Sequence, residues 1–151
     1  MVRELSAPQK ILVLVNGTPI DNDVVKIACK MTSKTLGDII AIYVIELKHT
    51  LPLEAEVEPE IQKGEDVLDH VERLAGEQGR NIETALLQAR DKGPAIVEEA
   101  IEREADLIIL GVNYEKPYGE FSLGSTLPYV LKHAHSSVVI YREPIPVQED
   151  S

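Results

Sequence analysis

The sequence has a single cysteine, no long apolar run and no excess of basic residues, and each shortage closes off a class of protein. The lone thiol, Cys29, forms no intrachain disulfide. It stands in an apolar helical pattern, which reads as a buried core thiol rather than a reactive one. No apolar stretch approaches the roughly 20 residues that a membrane-spanning helix needs. Residues Met1 to Pro8 carry neither an apolar core nor a small-residue cleavage pattern, so no secretory leader is expected. Together these readings give the expectation of a cytoplasmic protein that does not engage membranes. Lys and Arg number 15 against 26 Asp and Glu, a net charge of −11. Nucleic-acid binding runs mainly on neutralising phosphates with Lys and Arg, so this balance argues against it. The same charge repels small phosphates at long range, so any phosphate site has to be built locally.

What is present is a regular alternation. Ile11 to Val15 is an unbroken aliphatic run, the pattern of a strand buried on both faces in a parallel sheet. Asn16-Gly-Thr-Pro19 follows with turn chemistry, and Pro19 and Asp21 suit a helix start. Val25, Ala28, Cys29, Thr32 and Leu36 fall at helical spacing, with Gly37 placed for a left-handed helix end. Ile39 to Ile45 is a second strand, and Glu46 to Glu60 reads as a mobile, acidic surface connection. A second helix over Pro59 to Gln78 buries Ile61, Leu68, Val71 and Ala75, and Gly64 weakens it by about 1 kcal/mol against Ala. Then come a strand over Ile82 to Ala89, a helix opened by Gly93-Pro94, a strand over Asp106 to Leu110 ended by Gly111, a helix from Ser125-Thr126 to about Ala134, and a strand over Ser137 to Tyr141.

Five strands alternating with four helices predict one α/β domain over 1–151 with its core at about 9–142. The fold class is a doubly wound parallel sheet with helices on both faces and right-handed crossovers. Such sheets bind ligands outside the carboxyl ends of the strands, where the strand order reverses. That places the loops holding Asn16 and Gly111 side by side.

Between the fourth strand and the last helix runs a loop from Gly111 to Gly124, followed by Ser125 and Thr126. Free amides and the positive end of the helix dipole favour phosphate at such a helix start. Gly124 lets backbone approach a ligand, and the two hydroxyls are donors. Plain capping by Ser or Thr is the alternative. His133 and His135 are two residues apart, share no helical face and suit a helix C-terminus. His49 and His70 are isolated and receive no role. Asp21 and Asp23 suit capping and supply too few oxygens for a metal. A receiver-type phosphoacceptor is excluded because the third strand ends at Gln88-Ala89-Arg90, without an acceptor Asp. No nucleophile elbow and no Gly-x4-Gly-Lys-[Ser/Thr] loop occurs, so no catalytic residues are assigned.

The chain resembles the universal stress protein family from end to end. The family opens on I-L-V-x-V-D-G-S, where this sequence reads Ile11-Leu-Val-Leu-Val-Asn16-Gly17-Thr18; its A-D-L-I-V-x-G corresponds to Ala105-Asp-Leu-Ile-Ile-Leu-Gly111. Nucleotide-binding members carry G-x2-G-x9-G-[ST], and Gly111, Tyr114, Gly124 and Ser125 fall at those spacings. The closing strand, through Val-Val-Ile-Tyr141, is similar to the family's last strand.

That resemblance implies a strand order of 3-2-1-4-5, a stress-response regulatory module and an adenine-nucleotide site. Asn16 stands where binders carry an Asp near the ribose and phosphates. Val44 matches the adenine-contacting position, Leu110 and Gly111 flank the nucleotide, and Gly124, Ser125 and Thr126 match the phosphate cradle. Asn16 removes a negative charge and weakens metal assistance, so Mg²⁺ is expected only with ATP. Tyr114 replaces the second Gly with a large ring, while Glu115 and Glu120 add negative charge against Lys116. Two readings follow: a module that binds ATP or AMP with at most very slow hydrolysis, or a dimeric interaction module whose pocket Tyr114 fills. The family also implies a homodimer through antiparallel pairing of Val138, Val139, Ile140 and Tyr141, the alternative being an edge capped by the Pro144 and Pro146 tail. No protein partner is identified by the sequence.

Overall fold

The computed structural model describes residues 8–32, 37–113, 124–145 and 147. Strands β1 (Lys10–Leu14), β2 (Asp38–Glu46), β3 (Glu83–Ala89), β4 (Leu107–Val112) and β5 (Ser137–Arg142) alternate with helices α1 (Ile20–Met31), α2 (Glu58–Glu77), α3 (Lys92–Glu102) and α4 (Thr126–His133). The strands form one sheet in the order β3-β2-β1-β4-β5, and every pairing is parallel, as the alternation and the family likeness predict.

Chain direction across the sheet reverses between β3 and β4, so the helices divide between two faces. Odd-numbered residues of β1, including Ile11 and Val13, pack with Val24, Val25 and Ala28 of α1 and Leu68, Val71 and Ala75 of α2. Even-numbered residues, including Leu12 and Leu14, pack with Ile96 and Val97 of α3 and Leu127 and Val130 of α4. The aliphatic runs of β1 and β2 are the consequence of this two-sided burial, because a side chain pointing either way meets a helix. Asp106 locks the amino end of the sheet: its carboxylate accepts the amides of Gln9 at 2.9 Å and Lys10 at 3.0 Å.

Three sequence expectations change. The helical spacing that runs to Leu36 does not carry α1 that far, because the helix ends at Met31 and Thr32 is extended. Buried Arg80 supplies the cause. Its guanidinium donates to the carbonyls of Cys29 and Thr32, both at 3.2 Å, to the Thr32 hydroxyl, and to the Gly37 carbonyl at 3.3 Å. A charged fork thus satisfies carbonyls that the next helical turn would otherwise take up. Leu36 itself lies outside the described residues.

Gly64, read as a weak point of α2, is buried where a Cβ would stand 2.5 Å from Leu86 Cδ1 and 2.9 Å from Tyr43 Cδ1. Glycine here is what lets α2 lie close on β2 and β3. The acidic connection after β2, read as mobile, is tied to β3. Leu47 donates its amide to Ala89 at 2.8 Å, and Gln88 Nε2 donates to the carbonyls of Leu53 and Ala55, both at 3.0 Å.

Candidate functional site

β1 lies between β2 and β4, and the two neighbours leave it in opposite connections: β1 feeds α1 on one face, while β4 leads toward α4 on the other. This is the point of strand-order reversal, the place where sheets of this class leave room for a ligand at the carboxyl edge. Leu14 pairs with Ile42 and Val13 with Ile109. Continuing that register brings Asn16 level with Val44 on one side and Val112 on the other.

The loop after β1 is shaped by a carboxylate from the first turn of α1. Asp21 accepts the amide of Asn16 at 3.0 Å and that of Gly17 at 2.7 Å. Gly17 has φ +82°, a left-handed conformation that glycine adopts without strain. Asp21 is only 3% exposed. Its burial pushes the carboxyl above the usual carboxylate range, outweighing the opposing amide hydrogen bonds from Asn16, Gly17 and Thr18. Capping chemistry was legible at Asp21, but its object is the β1 loop. The Thr18 hydroxyl in this loop is enclosed and has no hydrogen-bond partner among the described residues.

Asn16 also accepts a hydrogen bond through its side chain. Lys92, the first residue of α3, donates from Nζ to Asn16 Oδ1 at 3.1 Å and lies 3.8 Å from Glu46 Oε1. Its side chain thus leaves the end of β3, passes the end of β2 and reaches the end of β1. The sequence reading missed Lys92, because position 92 comes 76 residues after Asn16 and only the sheet order joins them.

The other expected positions resolve as follows. Val44 and Leu110 are buried among the side chains under α3 and α4, so they form the floor beneath the edge. Gly111 does not end β4, which runs through Val112 and pairs Gly111 with Tyr141. A Cβ at Gly111 would meet Ile20 Cγ2 and Val24 Cγ1, both at 3.2 Å, so the missing side chain makes room for α1. Gly124 has φ +67° and Ser125 precedes α4 at its N-cap without a side-chain capping bond. Both are exposed and Thr126 is half-buried. α4 is seated beside the start of α3, because the vacant Cβ position of Gly93 lies 3.0 Å from the Tyr129 side chain. Asn16, Val44 and Gly111 therefore lie near the carboxyl ends of three neighbouring strands, and α4 follows β4 in the chain. Tyr114, Glu115, Lys116 and Glu120 lie outside the described residues.

Flanking this edge, a cleft of about 670 Å³ opens between the β1 loop and α2, lined by Gly17, Thr18, Asp21, Lys63, Asp66 and His70. His70, assigned no role from sequence, pairs with Asn22 at 2.7 Å there. His133 stacks on Tyr129 with ring centres 4.2 Å apart. Burial raises the Cys29 thiol, with Arg80 opposing it only in part, so Cys29 is a protonated core residue. Among the described residues no group of three or more His, Cys, Asp or Glu side chains gathers to hold a metal ion, and no helix is long and apolar enough to cross a membrane.

Of the residues expected on the outer strand, Val138 packs on the α3/α4 side, and Val139 and Tyr141 pack on the α1/α2 side. The Tyr141 hydroxyl donates to Asp23 of α1 at 3.1 Å. Ile140 is 40% exposed on β5, the strand at one end of the sheet.

Comparison with known proteins agrees with this architecture. The sequence profile described as the universal stress protein family matches residues 8–142. Universal stress protein MJ0531 of Methanocaldococcus jannaschii is 28% identical over 142 residues, which covers 90% of this chain and 83% of that protein. A universal stress protein structure from Archaeoglobus fulgidus superposes with a TM-score of 0.73 at 19% identity, covering 87% of this chain and 97% of the other. A universal stress protein of the same organism solved in complex with dAMP gives a TM-score of 0.68 at 17% identity, with 89% and 98% covered.

Proposed function

Because the chain belongs to the universal stress protein family, we propose that it is a stress-response regulatory module that binds an adenine nucleotide, AMP or ATP, in the crevice beyond the ends of β1 and β4. The observation that carries this reading is that Asn16, Val44 and Gly111 lie near the carboxyl ends of three neighbouring strands at the point where the strand order reverses. Support also comes from the Archaeoglobus relative that holds dAMP on the same fold. The exposed α4 start, with Gly124 in a left-handed conformation and the Ser125 hydroxyl uncommitted to a cap, has the donors and the dipole that a phosphate needs.

The module acts by binding rather than by turnover. The sequence offers no recognisable acid-base pair for chemistry on the nucleotide, and at most very slow hydrolysis of ATP is expected. It works as a homodimer in the cytoplasm, joined through antiparallel pairing of β5 with its symmetry mate. What supports the dimer is the place of β5 at one end of the sheet, together with the exposed Ile140. Titration calorimetry with AMP and with ATP, each with and without Mg²⁺, tests the nucleotide reading. Saturable heat is expected. Its absence at high micromolar protein in all four titrations removes the reading and leaves an interaction module that has kept the fold without the ligand.

A further inference from the structure

We propose that Lys92 is a phosphate-binding residue of this crevice, and that its ammonium makes nucleotide binding by this chain independent of a divalent cation. The inference rests on the nucleotide reading above and deepens it by naming the charge that the ligand meets.

The net charge of −11 requires any attraction for phosphate to be built locally. At the crevice a lysine does this. Lys92 Nζ sits 3.1 Å from Asn16 Oδ1, at the position that the family resemblance places near the ribose and phosphates. The identity of residue 16 decides what the lysine can offer. An aspartate there would pair with the ammonium and cancel its charge. The amide of Asn16 accepts the hydrogen bond and leaves the charge in place, and the carboxylate that Lys92 pairs with among the described residues is that of Glu46, at 3.8 Å and 48% exposed. That exposed contact is screened by solvent and holds the lysine weakly. With Oδ1 turned to the ammonium, the Asn16 amide nitrogen is left as a donor. A phosphate has only acceptor oxygens once ionised, so an ammonium and an amide N–H suit it directly.

The same groups do not suit Mg²⁺. That ion is usually held by one or two carboxylates together with substrate phosphates. Residue 16 supplies a neutral amide with a cation on it. Asp21 is buried with its two oxygens on the amides of Asn16 and Gly17. The charge that a metal would bring is brought by Lys92.

Calorimetry on the intact chain tests this with AMP and adenosine, each in EDTA and in Mg²⁺, for the wild type, Lys92→Met, Lys92→Arg and Asn16→Asp. The wild type is expected to bind AMP equally in both buffers. Lys92→Met should lose about ten- to hundredfold in AMP affinity while keeping its affinity for adenosine, a split that a purely structural lysine would not produce. Lys92→Arg retains AMP binding because it retains the charge. Asn16→Asp loses AMP binding in EDTA and regains part of it in Mg²⁺. An unchanged melting temperature certifies each variant as folded. AMP affinity that survives in folded Lys92→Met, or that appears only with Mg²⁺, overturns the role of Lys92 and leaves nucleotide binding standing. Absence of binding by the wild type to AMP and ATP in both buffers overturns the nucleotide reading and this inference together.

Discussion

Helix α2 offers a test in which one substitution, made twice in the same helix, should change stability in opposite directions. Both Gly64 and Gly76 lie within Glu58–Glu77. From helix propensity alone, Ala in place of either should stabilise by up to about 1 kcal/mol. At Gly76 nothing stands within 4 Å of the new methyl group, so that gain should be realised. At Gly64 the methyl would stand 2.5 Å from Leu86 Cδ1 and 2.9 Å from Tyr43 Cδ1, where relaxed carbon contacts are about 3.5–4.0 Å. The Leu86 methyl can turn away. The Tyr43 ring is only 7% exposed and has to move with its strand, or α2 has to lift. Overpacking of this kind costs about 1–3 kcal/mol, which exceeds the propensity gain. Gly64→Ala is therefore expected to be less stable than wild type by about 1 kcal/mol, and Gly76→Ala more stable by up to that amount. For a chain of this length the two melting temperatures should separate by roughly 4–8 °C, at about 2–4 °C per kcal/mol. Urea denaturation followed by circular dichroism reads both free energies. If Gly64→Ala matches or exceeds Gly76→Ala in stability, the close seating of α2 on β2 and β3 is wrong.

Three further outcomes are expected. Arg80→Met should cost about 3–5 kcal/mol by chemical denaturation, since it strands the Cys29, Thr32 and Gly37 carbonyls without their donor; Arg80→Lys should rescue little, as an ammonium cannot fork to them, and a loss under about 1 kcal/mol would refute the cap. Asp21, raised above its usual 3.8, keeps its proton in the folded state at pH values where the unfolded chain has released it. Its contribution to stability is thus fully present below that unfolded value and is lost as pH rises through the raised folded value. Unfolding free energies of wild type minus Asp21→Asn should grow in favour of wild type on acidification from neutral pH toward about 4, and the reverse trend would contradict the burial argument. Finally, Ile140→Glu should convert a dimer to a monomer in sedimentation velocity, whereas a wild-type protein that is monomeric at every concentration would dispose of the β5 interface.

Element order and type were readable because the signals are local. Ile11–Val15 is aliphatic throughout and Ile39–Ile45 is aliphatic but for the buried Tyr43, and a strand covered on both faces tolerates little that is polar. The position of Asn16 at the end of the first strand was readable for the same reason. Less legible was where elements stop. α1 ends at Met31 because Arg80, which follows α2 in the chain, holds its last carbonyls, and β4 continues through Gly111 because β5 pairs with it there. Each of those ends is set by a partner distant in sequence.

The amino-acid sequence alone therefore determined the alternation of strands and helices, the burial of the central strands on both faces and the place of Asn16 at the end of the first strand, because periodicity and backbone propensity act over a few residues. Tertiary structure alone decided what surrounds Asn16. Lys92 reaches it across the end of β2, and Asp21 turns inward to hold the loop amides. Those pairings depend on which strands lie side by side and on how deeply a carboxylate is shut away from water. Both are properties of the packed molecule, and no local stretch of sequence carries them.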